Sequence, residues 1–267
     1  MEAYERAFTH ARKAGHQPPN SFSQRAYCRF VGTTPVPELL EWLDQNEAQE
    51  GRDYFFRAYR ANAFAMLGRF DEARAILTQA RAELAERGGG VLLANITAFE
   101  SVWVELWAGD PAAAAEFGAE GFRLHEEQGE ESFLSSAAAN LAQALYELDR
   151  LDEADDWASR AAELGASEDA GKEMLWRQVR AKVLARRGEH ADAERFALEA
   201  LAICEETDML DAQGAVYADL AEVLFLAGRV EEAAEALEQA LARYERKGNV
   251  VMAERTRSRL TLSVAKP

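Results

Sequence analysis

Apolar positions along this chain recur at three- and four-residue spacing over most of its length. Short polar turns interrupt them at a nearly constant interval. The interruptions are Gly68-Arg69-Phe70-Asp71-Glu72-Ala73, Gly109-Asp110-Pro111-Ala112-Ala113-Ala114, Asp149-Arg150-Leu151-Asp152-Glu153-Ala154, Gly188-Glu189-His190-Ala191-Asp192-Ala193 and Gly228-Arg229-Val230-Glu231-Glu232-Ala233. Their first residues are 41, 40, 39 and 40 positions apart. Each begins with a turn residue, continues with acidic or small polar residues, and reaches an alanine five positions on. A helical pattern precedes and follows every one. A fixed period of this length predicts helix–turn–helix pairs stacked in a line. In such a solenoid, function resides in the concave surface rather than in a buried catalytic pocket.

The pattern also predicts where the paired helices touch. Seven residues before each turn stand Ala61, Val102, Ala142, Ala181 and Ala221, small enough for a close crossing. Four before it stand Phe64, Glu105, Leu145, Leu184 and Leu224. Four of these are large and apolar, as a packing position requires. Glu105 breaks the rule, so the second pair is expected to be shifted or distorted there. In the last returning helix Ala234, Leu237, Ala240, Leu241 and Tyr244 line one face. Acidic pairs just after the turns, such as Asp71-Glu72, Asp152-Glu153 and Glu231-Glu232, favour helix N-termini through the helix dipole. Upstream, Ser21 to Val31 reads as a helix, Gly32-Thr33-Thr34-Pro35 as a turn, and Glu38 to Glu47 as a returning helix. Met1 to Gly15 reads as the second helix of a pair, and Val250 to Leu262 as a lone closing helix. The expected organisation is one repeat domain over 1–267, with an incomplete unit at 1–51, repeats at 52–248 and a capping helix at 249–264.

Composition agrees with an all-α chain. Alanine is abundant, prolines number 6, and 48% of residues are hydrophobic, enough for a sizeable core. The formal charge of −17 would repel a phosphate backbone and anionic membrane surfaces, which argues against both as partners. Cys28 and Cys204 show no metal-ligand spacing and read as buried free thiols, which suits a reducing cytoplasm. No signal-peptide pattern opens the chain, and no run of 18 apolar residues predicts a membrane span.

Several stretches resemble a known family. They are Gly32-Thr33-Thr34-Pro35-Val36-Pro37-Glu38, Gly68 to Ala75, Leu175-Trp176-Arg177 with Arg180 to Glu189, Asp219-Leu220-Ala221-Glu222-Val223, and Tyr244-Glu245-Arg246-Lys247-Gly248-Asn249-Val250-Val251. The last is the most specific, because it lies outside the generic repeat pattern. Together they resemble the C-terminal tetratricopeptide region of bacterial proteins that join a cyclase or DNA-binding domain to a signal-transduction ATPase. The resemblance implies a right-handed superhelical solenoid of tetratricopeptide-like helix pairs that senses a ligand or partner. It extends to that sensor part alone. No cyclase aspartates and no basic helix-turn-helix can be placed. Gly165 to Lys172 is a poor phosphate loop, since its glycines are six apart and Glu173 stands where Ser or Thr would hold magnesium.

In that family the first helix of each pair lines the concave groove. Mapped here, the groove residues are Asn62, Phe99, Trp103, Trp107, Gln143, Tyr146, Gln178, Lys182, Arg186 and Glu222. Phe99, Trp103 and Trp107 repeat at a spacing of four and share a helix face, as anchors for an apolar side chain or as packing under a neighbour. Lys182 and Arg186 also share a face and are candidates for a ligand's acidic group, or form a solvated basic surface. Four histidines, His10, His16, His125 and His190, form no metal or nucleophile pattern, and His125-Glu126-Glu127 reads as a solvated face. No catalytic residue, cofactor or metal set is expected. The reading is a non-catalytic module that binds a protein or peptide in a bacterial signalling system. A self-associating homo-oligomer and a small-molecule-binding regulator stay open as alternatives.

Overall fold

The computed structural model describes residues 21–50, 53–165 and 170–264. Among them are thirteen helices and no strand. They are α1 (Ser21–Val31), α2 (Val36–Glu50), α3 (Tyr54–Met66), α4 (Phe70–Glu86), α5 (Gly90–Ala108), α6 (Pro111–Gln128) and α7 (Leu134–Glu147). Then follow α8 (Leu151–Leu164), α9 (Ala170–Arg186), α10 (His190–Glu205), α11 (Leu210–Leu226), α12 (Val230–Lys247) and α13 (Val250–Val264). Consecutive helices pair as the period predicts, and the upstream pair α1–α2 falls where the sequence places it. The expected helix over Met1 to Gly15 lies outside the described residues, as do residues 166–169 of the Gly165 to Lys172 loop.

One turn chemistry closes the five repeated pairs. Gly68, Gly109, Gly188 and Gly228 have φ between 78° and 82°, the left-handed region that a β-carbon disfavours. Asp149 takes the same place with φ 61°, which the short aspartate side chain tolerates. In every pair the amide after the turn residue donates back to the carbonyl of the residue four before it, from Arg69 N to Phe64 O through Arg229 N to Leu224 O, at 2.9–3.0 Å. This bond satisfies a helix-end carbonyl that would otherwise be bare. Beyond the turn, alanine meets alanine. Ala61, Ala142 and Ala181 are fully buried and Ala221 is 1% exposed, as are their facing partners Ala73, Ala154, Ala193 and Ala233 to within 1%.

α5 departs from this plan. It passes through a π turn over Thr97–Ser101, which accommodates one extra residue. The extra residue shifts the register upstream, so Ala98, not Phe99, is the fully buried equivalent of Ala58 and Ala139. The distortion expected from Glu105 is thus present in the same helix. Glu105 itself is 5% exposed, and its carboxylate is gripped by the Arg74 guanidinium through Nε at 3.0 Å and Nη2 at 2.5 Å. α5 is also long and apolar enough to cross a membrane by length and composition. Most of it is instead buried against its neighbours in the fold. It is not an uninterrupted apolar run, since Asn95, Thr97, Glu100, Ser101 and Glu105 fall within it.

His125 overturns the expectation of a solvated face. It is fully buried, with ring contacts to Phe99 at 6.1 Å and Phe133 at 5.5 Å. Burial pulls its imidazole below the ordinary histidine range. Cys204 is buried and Cys28 only partly so, and both are free thiols.

The superhelix closes on itself. α11 touches α1, and α13 lies against α3. The buried Lys247 ammonium donates to Arg29 O at 3.1 Å, Gly32 O at 2.9 Å and Thr34 O at 2.9 Å. Gly248 follows with φ 79° and sits against Pro37 and Val36. Arg255 of α13 donates to Leu106 O at 3.1 Å and Trp107 O at 2.7 Å, the carbonyl end of α5. The helix expected only to cap the array thus also spans from its last unit to its first ones.

Candidate binding cavity

Closure turns the concave groove into a central cavity of about 790 Å³. One wall is apolar and comes from the early units, with Phe30, Val31, Met66, Trp103, Leu106 and Trp107. α7, α9 and α11 supply the polar wall of Gln143, Glu147, Gln178, Asp219 and Glu222, bordered by Met174, Leu175, Ala212, Ala215 and Ala218 of the same helices. α13 and the end of α12 supply Met252, Arg255, Arg259 and Tyr244.

The polar wall is a connected network. The Lys182 ammonium is 1% exposed and forms an ion pair with Asp219 at 3.0 Å. It also donates to Gln143 Oε1 at 2.8 Å and sits 4.7 Å from the Tyr146 ring centroid. Gln178 Nε2 donates to the other Asp219 oxygen at 3.0 Å. The Tyr146 hydroxyl donates to Glu222. Burial alone would pull the Lys182 ammonium down, but Asp219, Glu147 and Glu222 outweigh it and hold the group above its ordinary value. Burial pushes the Asp219 carboxyl up, and Glu222 and Glu147 add to that against the pull of Lys182. A buried carboxylate is tolerated here because a cation and an amide face it.

The apolar wall is held by the π turn. The turn leaves the Ala98 carbonyl available to Asn140 Nδ2 at 3.1 Å, and Asn140 Oδ1 accepts from Trp103 Nε1 at 3.3 Å. Trp103 then lies 6.1 Å from the Phe30 ring. Asn140 is 2% exposed, so this one amide links α7 to both the bulge and the indole.

Of the ten expected groove residues, Trp103, Trp107, Gln143, Gln178 and Glu222 meet at the cavity. The others do not line it. Phe99 is turned by the π turn towards His125 and Phe133. Asn62 is fully buried with neither amide atom hydrogen-bonded. Tyr146 lies behind Glu222. Lys182 is corrected from a ligand contact to an internal counter-charge, because Asp219 already engages it. Arg186 is exposed and engaged by Asp149 at 2.5 Å. Phe30, Asn140, Asp219, Tyr244 and Arg255 were not expected at the site. Asp219 stood out in the sequence only through resemblance, and Tyr244 through resemblance and as a packing position, neither as a groove position. Among the described residues no group of three or more His, Cys, Asp or Glu is arranged to hold a metal ion.

Tetratricopeptide-repeat family models match residues 173–246, and a second such model matches residues 55–79 and 135–160. The chain carries tetratricopeptide repeats. No curated protein matches the sequence significantly. Among solved structures, a Rap protein complexed with Competence and Sporulation Factor is similar at 15% identity and TM-score 0.66, over 91% of this chain and 70% of that one. A Signal Transduction ATPase with Numerous Domains from Pyrococcus horikoshii, which has a tetratricopeptide repeat sensor, is similar at 15% identity and TM-score 0.59. There the match covers 98% of this chain and 43% of that one. The apo quorum sensor NprR from B. thuringiensis is similar at 14% identity and TM-score 0.57, over 97% of this chain and 74% of that one. At these identities the likeness is one of fold.

Proposed function

We propose that this chain is a non-catalytic sensor or scaffold module of a bacterial signalling system, acting in the cytoplasm, and that it binds a short peptide segment in its central cavity. The observation that carries this reading is the cavity itself, which the closed superhelix lines with an aromatic wall and a polar wall. A volume of about 790 Å³ suits a drug-sized or short peptide ligand rather than a long helix. Indoles at the wall offer apolar contact with little entropy to lose. The proteins of similar fold lend support, since one is complexed with a signalling factor and another is a quorum sensor. On this reading residues 1–267 form one repeat domain. The net charge of −17 argues against nucleic acid and anionic membranes as partners.

The test is to fill the cavity. Ala215 lines it from α11 and is partly exposed to its space. Ala215→Trp should abolish the tryptophan-fluorescence response to hexapeptide pools and leave the thermal unfolding temperature within a few degrees. Undiminished binding by the filled variant would place the ligand elsewhere. A concentration-dependent rise in mass by analytical ultracentrifugation, lost in the same variant, would favour self-association instead.

A further inference from the structure

We propose that the occupant of this cavity is a short peptide that presents an aliphatic cation, a lysine or arginine side chain, next to an apolar one. The inference rests on the cavity reading above and adds the chemistry of the ligand. Charge comes first. Asp219 and Glu222 of α11 and Glu147 of α7 gather around Lys182. Three carboxylates against one ammonium leave this wall two negative charges in excess. Lys182 is 1% exposed while the Asp219 side chain keeps 19% of its surface, so the carboxylate lies on the cavity side of the pair. Arg186, the next cation along α9, is held between Tyr146 and Asp149, and its charge is matched by Asp149. Across the cavity Arg255 is turned onto the carbonyls of Leu106 and Trp107, and Arg259 donates to Ala218 O at 3.2 Å. Asp211, also on the lining, accepts from Asn249 at 2.7 Å, with Lys247 close by.

An independent observation marks the floor. The Tyr244 side chain lines the cavity, is 1% exposed, and its hydroxyl has no hydrogen-bond partner. A buried hydroxyl left bare is costly, and a ligand group that pairs with it removes the cost. Asp211 and Asp219 lie near enough, in addition to burial, to hold its phenol well above the ordinary range. The ring is seated by Gly214 of α11, where an added β-carbon would fall 2.6 Å from Tyr244 Cε1. The phenol thus stands between the acidic wall and the arginines of α13 with its donor and acceptor unused. Opposite, Phe30, Met66, Trp103 and Trp107 form an apolar face that suits an aliphatic or aromatic side chain. An amphipathic ligand with a cationic end satisfies both walls and the floor at once.

The full chain can be titrated, with tryptophan fluorescence as readout, against three hexapeptide pools. All carry Leu, Ile or Phe at alternate positions; the remaining positions are Lys/Arg, Ser/Asn or Asp/Glu. Arginine amide and spermidine serve as small-molecule arms. The basic pool should bind about tenfold or more tightly than the other two. Glu222→Gln should reduce that preference several-fold, since the amide oxygen still accepts from Tyr146 and one of the two excess charges is lost. Tyr244→Phe should weaken the basic pool several-fold without lowering the unfolding temperature. If the neutral or acidic pool binds best and Ala215→Trp blocks it, the charge inference falls and the cavity reading stands. If Ala215→Trp leaves binding intact, or no pool binds, both fall. Arginine amide or spermidine binding as tightly as the pool would overturn the peptide as occupant.

Discussion

Glu100 sits 4% exposed inside the π turn of α5, and one of its carboxylate oxygens has no hydrogen-bond partner. Burial pushes its carboxyl up to about 8 from an ordinary 4.5. The folded protein therefore holds a proton here that the unfolded chain gives up between those values. Stability from this group is complete below about pH 4.5 and is lost as pH rises through about 8. The slope can reach about 1.4 kcal/mol per pH unit. Glu100→Gln removes the titration, so its unfolding temperature relative to the natural chain should climb steadily from pH 5 to pH 8. Parallel curves across that range would show that Glu100 is ionised in the fold. Residues of this kind were hard to read from sequence. His125 follows Ala114, Gly118 and Gly121 on one face of α6. That stripe is too small-sided to register as apolar, so a buried histidine looked like part of a solvated surface.

At the scale of elements, the alanine crossings and the turn positions followed directly from the period, because each depends on residues within one turn of each other. The π turn did not. Its only local sign was an acidic residue at a packing position, Glu105, and its consequences lie on other helices. One is Asn140 of α7, which bonds the displaced Ala98 carbonyl. Another is Gly121 of α6, where an added β-carbon would fall 2.5 Å from both Cβ and N of Ala98. The bulge pushes α5 so close to α6 that only hydrogen fits between them. Gly121→Ala should therefore cost about 1–3 kcal/mol through overpacking, despite the better helix propensity of alanine. Urea unfolding measures this directly, and a neutral or stabilising result would mean that the two helices part easily at the bulge. The same turn separates Phe99 from the two tryptophans that reach the cavity. Trp103 and Trp107 lie beyond the bulge and keep the repeat register. Phe99, within it, is rotated away.

The molecule as a whole depends on contacts between its two ends, which no periodic pattern reports. Lys247 reaches residues 213 to 218 positions away. The two stretches that meet there, around Gly32 to Glu38 and Tyr244 to Val251, were both among those that carried the resemblance, and the second stood outside the generic repeat, but their pairing was not visible in the sequence. The chemistry of the meeting is specific. An ammonium carries three N–H donors and no acceptor, and the last turn of α1 and the loop after it present three carbonyls to it. Burial draws this ammonium down to about 8, with Asp211 and Asp208 opposing, so it stays mostly protonated at neutral pH. Replacing it by an apolar side chain of similar length leaves those carbonyls buried without donors, which costs about 1–3 kcal/mol. Lys247→Met should accordingly lower the urea midpoint. Because the lost contacts join the first unit to the last, it should also enlarge the radius of gyration measured by small-angle scattering, as the superhelix springs open. Ligand affinity should fall in step, since the walls of the cavity belong to units that only closure brings face to face. A lower midpoint with unchanged radius and affinity would assign closure to Arg255 and the packing of α13 on α3, and reduce Lys247 to a local support of the loop after α1.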